Sequence, residues 1–190
     1  MDARFVGLTI SILWLGWMAY WAYSARGVKT TSRAEPARIQ LAYRAPLVLA
    51  ILFLTAPGLV PPALLGRFVP AGPAGPSLGI ALIVAGLGFA VWARRHLGRN
   101  WSASVVVKHD HTLIRTGPYR RIRHPIYSGM LLAFLGTIIA IGEWRGLVAL
   151  PLAVLSFLLK SRLEEARMTE TFPEYADYRR STAALIPGLY

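Results

Sequence analysis

Apolar residues in this chain gather into long runs, and the polar ones fall between them. The first run, Phe5 to Tyr23, holds 19 residues without a formal charge, enough for one helix across a hydrocarbon core of roughly 30 Å. Trp14, Trp17, Tyr20, Trp21 and Tyr23 crowd its second half, as an interfacial aromatic belt would. The run is longer than the apolar stretch of a secretory signal, so it reads as a span that is kept. A second run, Ala45 to Leu65, contains Pro46, Pro57, Pro61 and Pro62, which predicts a broken or loop-like far end. The third, Ser77 to Ala93, carries Gly79, Gly86 and Gly88, small residues that let helices approach closely. The fourth and fifth, Ile126 to Ile141 and Leu147 to Leu159, are short and joined by Gly142-Glu143-Trp144-Arg145-Gly146. They predict a tight helical hairpin in which the fifth, interrupted by Pro151, is the weakest span. The Pro/Gly-rich stretch from Pro57 to Pro76 reads as an irregular connection. The expected architecture is all-α and polytopic, with about five transmembrane helices and a cytoplasmic C-terminal helix.

Charge fixes the sidedness of that arrangement. Of 190 residues, 55% are hydrophobic and 16% charged, against about 25% charged in soluble domains. The 21 Lys and Arg outnumber the 9 Asp and Glu, and a net charge of +12 invites a nucleic-acid reading. Eighteen of the 21 basic residues, however, fall in segments 24–44, 94–125 and 160–190; only Arg4, Arg67 and Arg145 lie on the other side. The positive-inside rule then places the N-terminus outside and the C-terminus in the cytosol, as in a bacterial inner (cytoplasmic) membrane protein. Topology accounts for the charge, so no nucleic-acid partner is expected. There is no cysteine, which excludes disulfides and thiolate metal sites.

The polar chemistry is concentrated in 98–127 and 160–190. In Gly117-Pro118-Tyr119-Arg120-Arg121-Ile122-Arg123-His124-Pro125-Ile126-Tyr127, Gly-Pro marks a turn and Pro125 suits the first position of a helix. His124 then sits at the N-terminus of the fourth span with Tyr127 one turn on, where free backbone N–H groups and three arginines favour an anion. The same pattern also describes a basic flank with a His cap and an interfacial Tyr. Glu164-Glu165, preceded by Lys160 and Arg162, can bind a cation such as an ammonium or sulfonium, or can be a solvated helix face. His109 and His111 have only Asp110 beside them, so no metal site is expected. Gly86-Leu87-Gly88 lies inside a span and is not a dinucleotide fingerprint.

Read together, these segments resemble the isoprenylcysteine carboxyl methyltransferase family and the related phospholipid N-methyltransferases. The resemblance runs from about Leu97 to Pro187. It is carried by Leu97-Gly98-Arg99-Asn100-Trp101-Ser102, His111-Thr112-Leu113-Ile114-Arg115-Thr116-Gly117-Pro118-Tyr119 and Arg123-His124-Pro125-Ile126-Tyr127-Ser128-Gly129, then Glu164-Glu165, Phe172, Tyr175, Tyr178 and Leu185-Ile186-Pro187. Met168 and Pro173 depart from the family pattern, and the second changes a turn in the tail.

The resemblance implies an integral membrane methyltransferase that uses S-adenosylmethionine. Its cofactor residues would be His111, Thr112, Leu113, Ile114, Tyr119, His124, Pro125, Ile126, Tyr127 and Glu164. Arg162, Glu165 and Lys160 would carry catalysis, with Arg162 or Lys160 facing the methyl acceptor. Segment 1–93 would be the N-terminal membrane region and 94–190 the methyltransferase core. Membrane lipids surround it, and the acceptor is lipidic or small: an isoprenylcysteine carboxylate, a phospholipid amine or a thiol. A lipid-binding subunit that keeps the fold without catalysis is the alternative outside enzymology. A transporter is disfavoured, because no apolar run carries a formal charge.

Overall fold

The computed structural model describes residues 2–26, 36–98 and 113–188. Six α-helices follow in chain order: α1 (Ala3–Ser24), α2 (Ala37–Thr55), α3 (Ala74–Leu97), α4 (Pro125–Ile141), α5 (Trp144–Thr171) and α6 (Tyr175–Ser181). Four of them, α1, α2, α3 and α5, are long and apolar enough to cross a membrane, and α4 is a shorter apolar helix of 17 residues. The chain is thus a polytopic integral membrane protein with an all-helical fold among its described residues. The side chains α1 leaves exposed, among them Leu8, Ile12, Leu15 and Met18, are those a lipid-facing helix presents.

Within this frame the apolar runs and the helices do not coincide everywhere. α2 starts at Ala37, eight residues before its apolar run, and ends at Thr55 where Pro57 follows. Pro46 is accommodated inside it, as membrane helices allow when neighbours satisfy the freed backbone. Beyond it, Pro57–Leu59 and Pro62–Leu64 form short 3-10 turns, the expected broken end. The fifth span is not the weak one. Lys160 to Thr171 is rich in good helix formers, so α5 continues to 28 residues and stops where Phe172 precedes Pro173. At 1.5 Å per residue it is about 42 Å long, roughly 12 Å more than the hydrocarbon core, and the surplus carries Glu164 and Glu165.

Helix α3 packs along α4, α2 along α5, and α4 against α5, while α1 leans on α3 and α4. Lipid tails give apolar helices no hydrophobic reason to associate, so close backbone contact must supply the attraction. The α3–α4 seam does so with two pairs of glycines spaced seven apart. A Cβ on Gly86 would lie 2.5 Å from the Gly129 carbonyl oxygen, and one on Gly79 2.5 Å from that of Gly136. Gly88, by contrast, faces open space and takes no part. Ile83, Ala90, Ala133 and Ile138 are buried along or beside the same seam.

The hairpin end of the bundle is tied by two arginines. Arg145, buried in the first turn of α5, pairs with Glu143 at 2.6 Å and donates to the carbonyls of Phe53 and Leu54, the open C-terminus of α2. Arg67 donates to the Ile141 carbonyl at 3.2 Å. Gly142 ends α4 at φ 71°, a left-handed conformation natural only to glycine.

A candidate functional site at the α4 N-terminus

Pro125 opens α4 and His124 stands as its N-cap. The backbone N–H of His124 does not point into a helix but donates to the Ala184 carbonyl at 3.0 Å, and that of Arg123 to Ala183 at 2.8 Å. Ser128 Oγ donates to the Leu185 carbonyl at 2.6 Å. The C-terminal segment therefore returns across the start of α4, with Ile122 and Ala183 in parallel pairing. The turn around Phe172–Pro173 allows this return, which the sequence left open.

His124 is held from both sides by α5. Its Nδ1 lies 3.3 Å from Glu164 Oε2 and its Nε2 3.1 Å from Glu165 Oε1. The Tyr127 ring stacks on the imidazole with 5.5 Å between centroids, and its hydroxyl donates to Glu164 Oε1 at 2.5 Å. The two carboxylates are not equivalent. Glu165 has an 8% exposed side chain and also receives Arg123 Nε at 2.7 Å and Arg179 Nε at 3.4 Å. Glu164 keeps 24% of its side chain exposed. Arg123 fastens Glu165 to the tail as well, donating to the carbonyls of Arg179 and Thr182.

These contacts decide the charge on the ring. Burial works against an imidazolium, but the hydrogen bonds to Glu164 and Glu165 outweigh it and raise the pKa of His124 above its ordinary value. Both nitrogens face carboxylate oxygens, an arrangement that suits a ring donating from each. On the outer side, burial holds the Tyr119 phenol well above its usual range and pushes that of Tyr178 up to about 12; both stay neutral donors.

The remaining sequence-predicted residues fall into three groups. His111 and Thr112 lie outside the described residues, as does His109. Pro125 and Ile126 are buried beneath His124, and Ile114 packs on the cluster of Ala90, Ala93, Tyr119 and Ile126, with Leu113 half-buried beside it. Tyr119 turns its hydroxyl toward the Ala93 carbonyl at 3.5 Å and accepts Tyr178 on its own carbonyl at 2.6 Å, so it joins loop, α3 and tail. Lys160 and Glu164 share one face of α5, four residues apart. Arg162, two residues from each, is exposed on another face, away from His124. Arg94, which the sequence assigned to a loop, is buried in the last turn of α3 and donates to the carbonyls of Ser24 and Gly98.

Sequence reasoning placed Arg123 in the motif with His124 and counted its charge, but did not include it among the site residues. Tyr43 was missed altogether. It lies in α2, 4% exposed, with Lys160 Nζ 5.7 Å from its ring centroid, and no motif surrounds it. Among the described residues no three His, Cys, Asp or Glu side chains gather as a metal site would.

The chain is an integral membrane protein whose helical fold has a solved counterpart. The solved structure of the eukaryotic intramembrane Ras methyltransferase, isoprenylcysteine carboxyl methyltransferase, superposes with a TM-score of 0.53, over 97% of this chain and 74% of that one, at 19% identity. The chain belongs to the phospholipid methyltransferase family, whose sequence profile matches residues 76–175. It is also 35% identical over 95 residues to the cobalt-zinc-cadmium resistance protein CzcN of Cupriavidus metallidurans, covering 49% of this chain and 44% of the relative. A nickel-cobalt-cadmium resistance protein, NccN of Alcaligenes xylosoxydans xylosoxydans, is 34% identical over 99 residues, covering 49% and 45%. The matched region thus spans less than half the length of these two relatives.

Proposed function

We propose that the protein is an S-adenosylmethionine-dependent methyltransferase that modifies a lipidic or small acceptor where the membrane meets the cytosol. The observation that carries this reading is His124 fixed between two carboxylates, with the ring of Tyr127 stacked on it and Glu164 left partly exposed. The donor set fits the cofactor: a carboxylate beside stacked rings suits a sulfonium, and the cationic flank at a helix N-terminus suits the amino-acid carboxylate. When bound, S-adenosylmethionine supplies an electrophilic methyl group. In this reading His124, Pro125, Ile126, Tyr127 and Glu164, with Leu113, Ile114, Tyr119 and the undescribed His111 and Thr112, make up the cofactor side.

The protein's part in such a displacement is to align the reactants and exclude water. Glu165 serves that end as a positioning group: clamped by Arg123, it holds His124 in place. A carboxylate or thiolate acceptor needs no base. An amine acceptor has to lose a proton, and the doubly donating His124 has no lone pair to take it, so Glu164 fills that role. Lys160 faces the acceptor, and Arg162 lies further out on α5. Segment 94–190 acts as the methyltransferase core and 1–93 as its membrane scaffold, with the site end of the bundle in the cytosol of a bacterial inner membrane.

Calorimetry of S-adenosylmethionine with the purified protein in nanodiscs tests the reading. Binding is expected, weakened about tenfold or more in His124→Ala and in Glu164→Gln, each loss corresponding to at least about 1.4 kcal/mol. Well-folded protein that binds no S-adenosylmethionine overturns the proposal in favour of a non-catalytic, lipid-binding subunit.

A further inference from the structure

One group of side chains at the site end takes no part in holding the cofactor residues together. Lys160, on α5, places its ammonium over two aromatic faces at once, 5.5 Å from the ring centroid of Tyr127 on α4 and 5.7 Å from that of Tyr43 on α2. Arg44 lies over the Tyr43 ring as well, its guanidinium carbon 5.8 Å from the centroid. α2 and α5 are locked in register here, since Ser156 Oγ donates to the Tyr43 carbonyl at 2.6 Å. Three helices thus converge on one ammonium, and the exposed Arg44 meets the same Tyr43 ring.

The charge balance of this corner differs from that around His124. There every cation has a carboxylate: Arg123 and Arg179 share Glu165, and His124 has both glutamates. Among the described residues neither Arg44 nor Lys160 makes a salt bridge. Glu164 is close enough to feel the Lys160 charge, but its oxygens are engaged by Tyr127 and His124. Ring faces orient a cation at modest gain and neutralise nothing. Among the described residues the two positive charges on Tyr43 thus have no salt-bridge partner, and the long apolar faces of α2 and α5 lead to them from the bilayer.

Building on the proposed methyltransferase reading, we propose that Tyr43, Arg44 and Lys160 form an anion subsite at the α2–α5 seam, which takes the phosphate or carboxylate of a membrane-embedded methyl acceptor. Tyr127 is the shared wall: one neighbour is the His124–Glu164 pair, the other is Lys160. An acceptor anchored by its anion on Lys160 and Arg44 lies against the same ring as the cofactor residues. Tyr43 is a positioning residue that acts through Lys160. It gives the N-terminal half of the chain, outside the matched residues 76–175, a share in choosing the substrate.

The test uses single-chain probes on the full protein in nanodiscs of phosphatidylcholine, read by quenching of intrinsic tryptophan fluorescence. Dodecyl phosphate and dodecanoate supply the two anions; dodecanol and dodecyltrimethylammonium supply the neutral and cationic controls. At least one anionic probe is expected to bind about tenfold or more tighter than dodecanol, that margin falling to about twofold or less in Lys160→Met and shrinking severalfold in Arg44→Met. Tyr43→Phe, which keeps the ring, is expected to hold the preference, and Tyr43→Leu to weaken it. The stronger anion tells whether the seam is built for phosphate or for carboxylate. Equal binding of anionic and neutral probes overturns the subsite, and so does tighter binding of the ammonium, which would make the two rings a cation cage. S-adenosylmethionine calorimetry on Arg44→Met, expected to match wild type, separates failure of the subsite from failure of the cofactor reading.

Discussion

Both ends of the helical bundle bury an arginine against a glutamate, yet the two pairs do different work. At the hairpin end Arg145 meets Glu143 at 2.6 Å and directs its other donors to backbone carbonyls at the end of α2. Every partner is structural, and the connection is closed. At the opposite end Arg123 meets Glu165 at 2.7 Å, but Glu165 passes its charge on to His124, whose other nitrogen faces the partly exposed Glu164. The same ion pair stabilises in one place and orients in the other. The difference lies in whether the chain of contacts stops at backbone or ends at a side chain that can meet a ligand.

Three perturbations sharpen that contrast. Arg145→Met leaves Glu143 and two helix-end carbonyls without their donor. Removing one partner of a buried pair costs about 3–5 kcal/mol, so thermal unfolding in detergent is expected to show a large loss of stability while the folded fraction binds S-adenosylmethionine as before. A matching loss of affinity would erase the distinction between the ends. Arg123→Gln is expected to release residues 179–185, raising their amide exchange by about a hundredfold with exchange at Phe53 and Leu54 unchanged, and to weaken cofactor binding. A hundredfold is about 2.7 kcal/mol, within the usual cost of losing a charged hydrogen-bond donor. Uniform acceleration along the chain would show that Arg123 only stabilises.

The smallest effect is a pH dependence confined to the site end. His124 is raised by its carboxylate partners, so its charged form favours the folded state. That contribution is complete below its ordinary value of 6.5 and is lost as pH rises through the higher folded value. Glu164, Glu165 and Tyr127 face the ring directly, and Arg123, Lys160 and Arg179 lie behind them. Stability of the wild type is expected to fall relative to His124→Gln as pH rises above 6.5, with a slope of at most about 1.4 kcal/mol per pH unit. Parallel curves for the two proteins would remove His124 as the titrating group.

Much of this was legible in the sequence. Unbroken apolar runs mark helices because a bilayer permits little else, and the Gly142–Gly146 connection required a hairpin. Pro125 fixed the start of α4, and with it the place of His124 and Tyr127. Helix ends were less legible. The extent of α5 depends on propensity in a polar stretch that hydropathy reads as tail, and α2 begins among polar residues for the same reason. Tyr43 was invisible because its part in the site comes from the α2–α5 packing, which no local pattern encodes. The sequence reading separated Glu164 from Glu165, but not by their surroundings: both meet His124, and about 100° apart around the helix only Glu165 also meets Arg123 and Arg179.

The pairing of Arg123 with the returning tail also sets a schedule. Its partner Thr182 is 59 positions further along the chain, so a ribosome adding 5–20 residues per second reaches it about 3–12 s later. Once Ile141 is added, 18 positions into that interval, the α3–α4 seam has all its residues, while the tail that completes the Arg123 clamp does not yet exist. Helix packing in the bilayer can therefore precede the closing of the polar centre, which waits for the tail to arrive.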